Sequence, residues 1–391
     1  MALSRNILAL GVVSFLTDVS TEMIYPLLPL FLTTVLGANV LFVGLVEGVA
    51  ETTASVLKLF SGWWSDRLGK RKAIFFSGYC LSTLTRPLIA VATFPWHVLV
   101  CRFLDRAGKG VRTSPRDALI SSSCPEHERG KAFGFHRGMD HAGAVVGPLL
   151  AFLLLSRFNS GLRTIFWLAF IPGLLSLITI MFAVTEKGGD SMVGNPGTNF
   201  TLRGLDARFR RFLGVITLFT LGNSTDAFLI LRAQSVGISL SHIPLLWMFL
   251  HITKSVSSMP GGMLSDRFGR RGTIITGWLV YALVYLGFAF ATRPADIWVL
   301  FGVYGLFFGL TEGVEKALVA DLVDEPRRGT AFGAYNLAIG VTTFPASLIL
   351  GFLWNTFGVE IAFGFGAALS GLAALLFTVS VKEMPRTAPW A

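Results

Sequence analysis

The sequence predicts an all-α membrane protein in which twelve transmembrane helices form two pseudo-symmetric six-helix bundles. Composition is the first reason: of 391 residues, 53% are hydrophobic and 14% charged, and mean hydropathy is +0.64. Crossing a hydrocarbon core takes about 20 apolar residues per helix, and 42 Gly suit helices that pack closely in lipid. The second reason is a succession of twelve apolar runs separated by short polar turns. The third is a duplication. Gly62-Trp63-Trp64-Ser65-Asp66-Arg67-Leu68-Gly69-Lys70-Arg71 recurs 200 residues later as Gly262-Met263-Leu264-Ser265-Asp266-Arg267-Phe268-Gly269-Arg270-Arg271, each copy between two apolar runs.

In order, the first helix covers residues 6–36 and aligns Asp18, Glu22 and Tyr25 on one face. The second, 41–64, carries Glu47, Glu51 and Lys58 on one stripe and ends in the first basic turn; the third, 73–93, holds Arg86. The fourth, 96–122, places Arg102, Asp105, Arg106, Lys109, Arg112 and Arg116 on a stripe roughly 120° wide at about 100° per residue, a face that lipid cannot cover. The fifth, 132–155, aligns His136 and Asp140 with Gly143 and Gly147; the sixth, 165–184, is almost wholly apolar. Glu186 to Arg211, rich in Gly, Asn and Arg, reads as a linker. Six further runs follow at 213–236, 243–264, 273–292, 297–322, 330–354 and 360–381. The domain reading is therefore an N-terminal bundle over 1–184, a cytoplasmic linker over 185–212 and a C-terminal bundle with a short tail over 213–391.

Counting Lys and Arg by side orients the chain. The termini, the linker and the turns on their side hold 19, the opposite turns hold 3 (Arg157, Arg163 and Arg293), and the remaining 11 of 33 lie within helices. This asymmetry predicts a multi-pass protein of the bacterial cytoplasmic (inner) membrane with both termini in the cytoplasm. The net charge of +10 is then topological, and no nucleic-acid partner is expected. Cys80, Cys101 and Cys124 have neither paired nor metal-ligand spacing, which argues against a disulfide framework and a metal centre. Met1 to Arg5 run into an apolar stretch longer than a signal-peptide core, read as the first membrane helix. No hydrolase triad or nucleotide fold is visible, so neither enzyme activity nor a cofactor is expected.

The repeat extends further: Ser20-Thr21-Glu22 matches Ser224-Thr225-Asp226, and Arg129-Gly130-Lys131-Ala132-Phe133-Gly134 matches Arg328-Gly329-Thr330-Ala331-Phe332-Gly333. At these residues the chain resembles the major facilitator superfamily over essentially its full length. That family's signature turn between the second and third helices, G-x-x-x-D-R-x-G-[RK]-[RK], is present as Gly62 to Arg71 and again in the second half. Three shorter patterns also occur: Pro26-Leu27-Leu28-Pro29, Arg106-Ala107-Gly108-Lys109-Gly110 and Gly143-Ala144-Val145-Val146-Gly147-Pro148. The last of these is associated in the family with proton-driven exporters. The resemblance implies two parallel halves with a cargo site between them near the bilayer midplane, exposed alternately as the halves rock.

Ionisable groups inside a bilayer are expensive and point to function. The first half has eight basic and seven acidic residues within helices, so most must neutralise one another. Asp18, Glu22, Glu47 and Glu51 are the proton-coupling candidates, because four carboxylates in a small volume cannot all carry charge at low cost; the resemblance implies that role for Asp18 and Glu22. The competing expectation is that Glu22 and Glu47 merely satisfy Arg86, Arg102 or Arg106. Arg86, Arg102, Arg106, Lys109, His136, Asp140 and Asp226 are the cargo-binding candidates, since guanidinium matches carboxylate and phosphate. Asp66, Arg67, Lys70, Arg71, Arg116, Asp117, Asp266 and Arg267, near the cytoplasmic face, are the gating candidates. Trp247, Tyr281, Tyr285, Tyr304 and Tyr335 read as packing or interfacial anchors rather than cargo stackers.

The expected function is proton-coupled efflux of a small organic solute, with an anionic cargo among the candidates, by a monomer whose partners are the solute, protons and the bilayer. Two rivals stand beside it: uptake of an anionic metabolite or metal chelate, and a transport-dead sensor or lipid-handling protein on the same scaffold.

Overall fold

The computed structural model describes residues 4–68, 71–125, 129–158, 161–186, 206–323 and 328–380. The described helices are α1 Arg5–Val35, α2 Val40–Leu68, α3 Arg71–Ala90, α4 Pro95–Ser122, α5 Arg129–Arg157, α6 Leu162–Ala183, α7 Ala207–Ser235, α8 Ile243–Phe268, α9 Arg270–Phe290, α10 Pro294–Asp321, α11 Arg328–Phe357 and α12 Val359–Ser380. Most of the 185–212 stretch read as a linker lies outside the described residues, whereas Ala207 already belongs to α7.

Nine of the described helices are long and apolar enough to cross a membrane; α3, α4 and α8 are not among them. The charged stripe of α4 removes its apolar run. Around the outside, Leu84, Leu88, Trp167, Ile171, Met181, Leu283, Phe290 and Val379 are exposed, as expected of surfaces that face lipid. The chain is a multi-pass membrane protein.

Two helices depart from the straight spans read from sequence. Helix α1 tightens to a 3₁₀ turn at Tyr25–Leu27 and loosens to a π segment at Phe31–Val35, where Pro26 and Pro29 each remove a backbone donor. Helix α7 stops at Gly222 and resumes at Ala227. The intervening Asn223-Ser224-Thr225-Asp226 is a run of four side chains that compete with the backbone for hydrogen bonds.

Within the first half, α1 packs on α5 and α6, and α4 packs on α2 and α3; in the second half, α7 packs on α11 and α12, and α10 on α8 and α9. Small residues permit the close approaches. A Cβ on Gly147 would lie 2.6 Å from the Val19 carbonyl oxygen, and one on Gly143 2.7 Å from that of Phe15, so the family pattern in α5 lets it press against α1 beside Asp18 and Glu22. A Cβ on Gly110 of α4 would likewise lie 2.7 Å from Leu57 Cβ of α2.

The halves meet along two seams, α2 with α11 and its repeat equivalent α8 with α5. In the first, Thr52 Oγ1 donates to the Gly340 carbonyl at 2.8 Å, Gly44 faces the Ser347 carbonyl and Gly48 faces Phe344. In the second, the rings of Phe152 and His242 lie 5.9 Å apart. The Gly44–Ser347 and Phe152–His242 contacts lie toward the end opposite the termini, whereas Thr52–Gly340 lies near the middle of both helices.

Two arginines cap helix ends. Arg232 donates to the carbonyls of Phe288, Ala289 and Ala291 at 2.9, 3.2 and 2.8 Å, and Arg163 donates to that of Ala90 at 2.6 Å. The second copy of the basic turn shows why it carries glycine: Gly269 connects α8 to α9 at φ 96° and ψ 148°, a region essentially closed to side chains. Gly269→Ala should cost about 1–3 kcal/mol, read as a lower thermal midpoint in detergent, whereas Gly272→Ala, in a helix with open space around it, should not.

Candidate functional site: a cavity between the bundles

A cavity of about 400 Å³ lies between the two halves. The first half supplies Asp18, Thr21, Glu22 and Tyr25 from α1, Glu51 from α2, and Asp105, Arg106, Lys109 and Arg112 from α4. The second supplies Thr220 and the unwound Asn223–Asp226 of α7, Trp247 and Lys254 of α8, Tyr304 and Phe308 of α10, and Ile339 and Thr343 of α11.

The charges sort into those that are paired and those that are not. Arg106 Nη2 meets Glu51 at 3.1 Å, and Lys254 meets Glu312 at 3.0 Å while lying 4.1 Å over the Phe308 ring. Asp226 accepts the Tyr304 hydroxyl at 2.6 Å. Arg112 donates to Ser82 at 2.8 Å and stacks 4.3 Å from the Tyr79 ring, with no ion pair to a carboxylate among the described residues. Asp18 and Lys109 line the cavity with no side-chain hydrogen bond or ion pair among the described residues. Glu22 accepts Trp247 Nε1–H at 2.8 Å, across the interface.

Other sequence-derived candidates stand behind the wall. Glu47, 1% exposed, takes Arg102 in a bidentate pair at 2.8 and 2.9 Å, and Arg102 also reaches Asp105 at 3.3 Å. Arg86 is buried between α3, α1 and α6, donating to Thr21 at 3.1 Å while its Nη1 has no partner. Asp140 accepts Ser14 and lies 3.5 Å from His136 and 3.6 Å from Arg137. None of Arg86, Arg102, Glu47, His136 and Asp140 lines the cavity. Periodicity put them on polar stripes, but a stripe wide enough to hold six charges faces both the cavity and the neighbouring helices.

Of the gating candidates, the side chains of Asp66, Arg67 and Lys70 lie outside the described residues. The Arg71 backbone N–H donates to Glu186 at 2.8 Å, Arg116 pairs with Asp117 at 2.9 Å, Arg270 bridges Asp266 and Asp321, and Arg267 packs on Phe268. Arg71 thus meets the stretch read as a linker, and the pairings of Arg116, Arg270 and Arg267 named here remain within one half. The sequence passed over Trp247, Tyr304 and the α7 break as parts of a site; the run of four helix-competing residues at 223–226 was the available signal.

The pattern of the Major Facilitator Superfamily matches residues 10–250 and 211–391. The chain belongs to the major facilitator superfamily. An uncharacterized transporter of this type from Methanocaldococcus jannaschii is 37% identical over 382 residues, covering 96% of this chain and 94% of the relative. The multidrug resistance protein MdtH of Photorhabdus laumondii is 33% identical over 132 residues, about a third of each chain. Among solved structures, the nucleoside transporter NupG matches with a TM-score of 0.81 over 96% of this chain and 100% of that one, at 14% identity. The shared fold is that of two six-helix bundles. This superfamily member is thus a transporter of a small solute, with its cavity where the two halves meet.

Proposed function

We propose that the chain exports a small organic solute from the bacterial cytoplasm in exchange for entering protons, with both termini and the basic turns on the cytoplasmic side. The observation that carries this reading is the cavity itself: Asp18, with no ion pair among the described residues, and Glu22, held only from the other half by Trp247 and His251 among the described residues, share one wall with Arg106 and Lys109. A proton site and a cargo site in one compartment couple through the same conformational equilibrium. The glycine-mediated approach of α5 to α1 beside both carboxylates, and the partial relative named for multidrug resistance, support export.

In this scheme Asp18, Glu22 and Glu51 exchange protons, and Arg106, Lys109 and Asp226 hold polar groups of the cargo. The seams α2–α11 and α5–α8 are closed on the periplasmic side, and the basic turns pair and part at the cytoplasmic mouth. Glu47 and Arg102 brace the first bundle rather than meet cargo. An anionic group suits Lys109 and Arg112, which have no ion pair to a carboxylate among the described residues.

The test is flux in proteoliposomes under an imposed pH gradient, screening anionic, zwitterionic and cationic labelled solutes. Wild type should drive uphill movement of at least one class. Glu22→Gln should reduce gradient-driven accumulation by about tenfold or more while sparing downhill exchange, and Arg106→Ala should weaken it with a changed preference between classes. Unaltered flux in both variants would remove these residues from the mechanism.

A further inference from the structure

The carboxylates paired within the first bundle are satisfied there: Glu47 by Arg102, Glu51 by Arg106, Asp140 by Ser14, His136 and Arg137. Glu22 is held from the other bundle. Trp247 of α8 donates Nε1–H to Glu22 Oε2 at 2.8 Å, and His251, one helical turn further on, places Nε2 3.9 Å from the same oxygen. That ring nitrogen is buried and has no hydrogen-bond partner. Tyr25, three residues beyond Glu22, meets the Trp247 ring at 5.0 Å, and the Trp247 and His251 rings stand edge to face at 5.2 Å. The charged and titratable groups facing this cluster are Asp18 from α1, Lys254 from α8, Glu312 from α10 and His141 from α5, with Lys109 of α4 and Asp226 of α7 across the cavity. Gly147 of α5 packs against Glu22.

We propose that Trp247 and His251 are the positioning residues through which the second bundle reads the charge of Glu22. The cluster is an interlock that holds the empty, deprotonated carrier open toward its terminus-bearing end. This inference rests on the proton-coupled reading above. A hydrogen bond to a carboxylate is roughly twice as strong as one to a neutral acceptor, and more so away from water. Protonating Glu22 therefore weakens the grip of Trp247 and the polar contact with His251, freeing α8 from α1 beside the seam. Cargo entering the cavity competes for the same carboxylate edge and releases the interlock in the same way. The benefit is tight exchange: a carrier that had discharged its proton and returned empty would leak protons, and the charged Glu22 link opposes that return.

The experiment uses the full-length chain with Cys80, Cys101 and Cys124 changed to Ser and spin labels on Phe60→Cys of α2 and Met259→Cys of α8, both exposed toward the terminus-bearing end. Distances are recorded at alkaline and acid pH in lipid nanodiscs. The wide separation should dominate at alkaline pH and give way as pH falls. Trp247→Phe, which keeps a ring and removes the donor, should shift the alkaline population by about tenfold; His251→Gln should shift it less and in the same direction. In a Glu22→Gln background neither substitution should add anything, a non-additivity that a purely packing role would not produce. With no cargo present, proton entry into vesicles loaded with a pH-sensitive dye should rise about tenfold in Trp247→Phe. Wild-type distances and leak in both variants, or shifts of equal size with and without Glu22, would overturn the interlock. Distances that respond as expected in a protein showing no gradient-driven flux would support the interlock and reject proton coupling of cargo instead.

Discussion

Arg102→Met alone should destabilise the protein by about 3–5 kcal/mol, because it strands the Glu47 carboxylate in a site that is 1% exposed. Arg102 itself is 4% exposed and makes three hydrogen bonds to Glu47, two of them at 2.8 and 2.9 Å. Removing one partner leaves a buried charge with no water to solvate it, whereas removing both leaves only a packing problem. Glu47→Leu combined with Arg102→Met should therefore recover most of the loss. Asp105, the second partner of Arg102, lines the cavity and can be hydrated there. Thermal unfolding in detergent checks all three variants, and equal midpoints for the single and double replacements would show that the ion pair does not hold α2 to α4. Because this pair lies behind the cavity wall, the double variant should keep its cargo preference.

Gly44→Leu should disfavour closure of the end opposite the termini. A Cβ at this position would lie 2.5 Å from the Ser347 carbonyl oxygen, a backbone atom that no rotamer change can move aside. Overpacking of this kind costs about 1–3 kcal/mol, and here the cost falls only on the conformation in which α2 and α11 touch. The equilibrium should move about tenfold or more toward the conformation open at that end, with solute flux falling in proportion. Thiol alkylation of Leu41→Cys, added from the side opposite the termini, reports the opening. Labelling that stays at the wild-type level would mean that the seam is not part of the moving gate. Gly147→Leu, which instead forces α1 from α5 inside one half, should lower stability without favouring either end.

Sequence reasoning reached the twelve spans and the duplication, because both depend on local properties: apolar length sets a helix against the bilayer, and a repeated basic turn is visible wherever it occurs. It also reached the right helices for the cavity. Asp18, Glu22, Glu51, Arg106, Lys109 and Asp226 line the cavity. It could not separate them from Glu47, Arg102, Arg86, His136 and Asp140, since a charged stripe on α4 is compatible with partners on α1, α2 or α3, and the rotation of each helix about its own axis is a packing outcome. Trp247 and Tyr304 looked like ordinary anchors because nothing near them in the chain is acidic; their partners, Glu22 and Asp226, are 225 and 78 residues away.

By itself the sequence determined the membrane class, the two-fold internal repeat and the stock of buried charge, all of which follow from composition and periodicity against a solvent of fixed thickness. Only the tertiary structure decided how that charge is spent. It put Arg102 on Glu47 and Arg106 on Glu51, left Asp18 and Lys109 facing the cavity without side-chain partners among the described residues, and gave Glu22 to the opposite bundle. The reason is that a charge buried in low dielectric is governed by whichever group lies within a few ångströms, and that neighbour is chosen by how the helices cross, which no single stretch of the chain encodes.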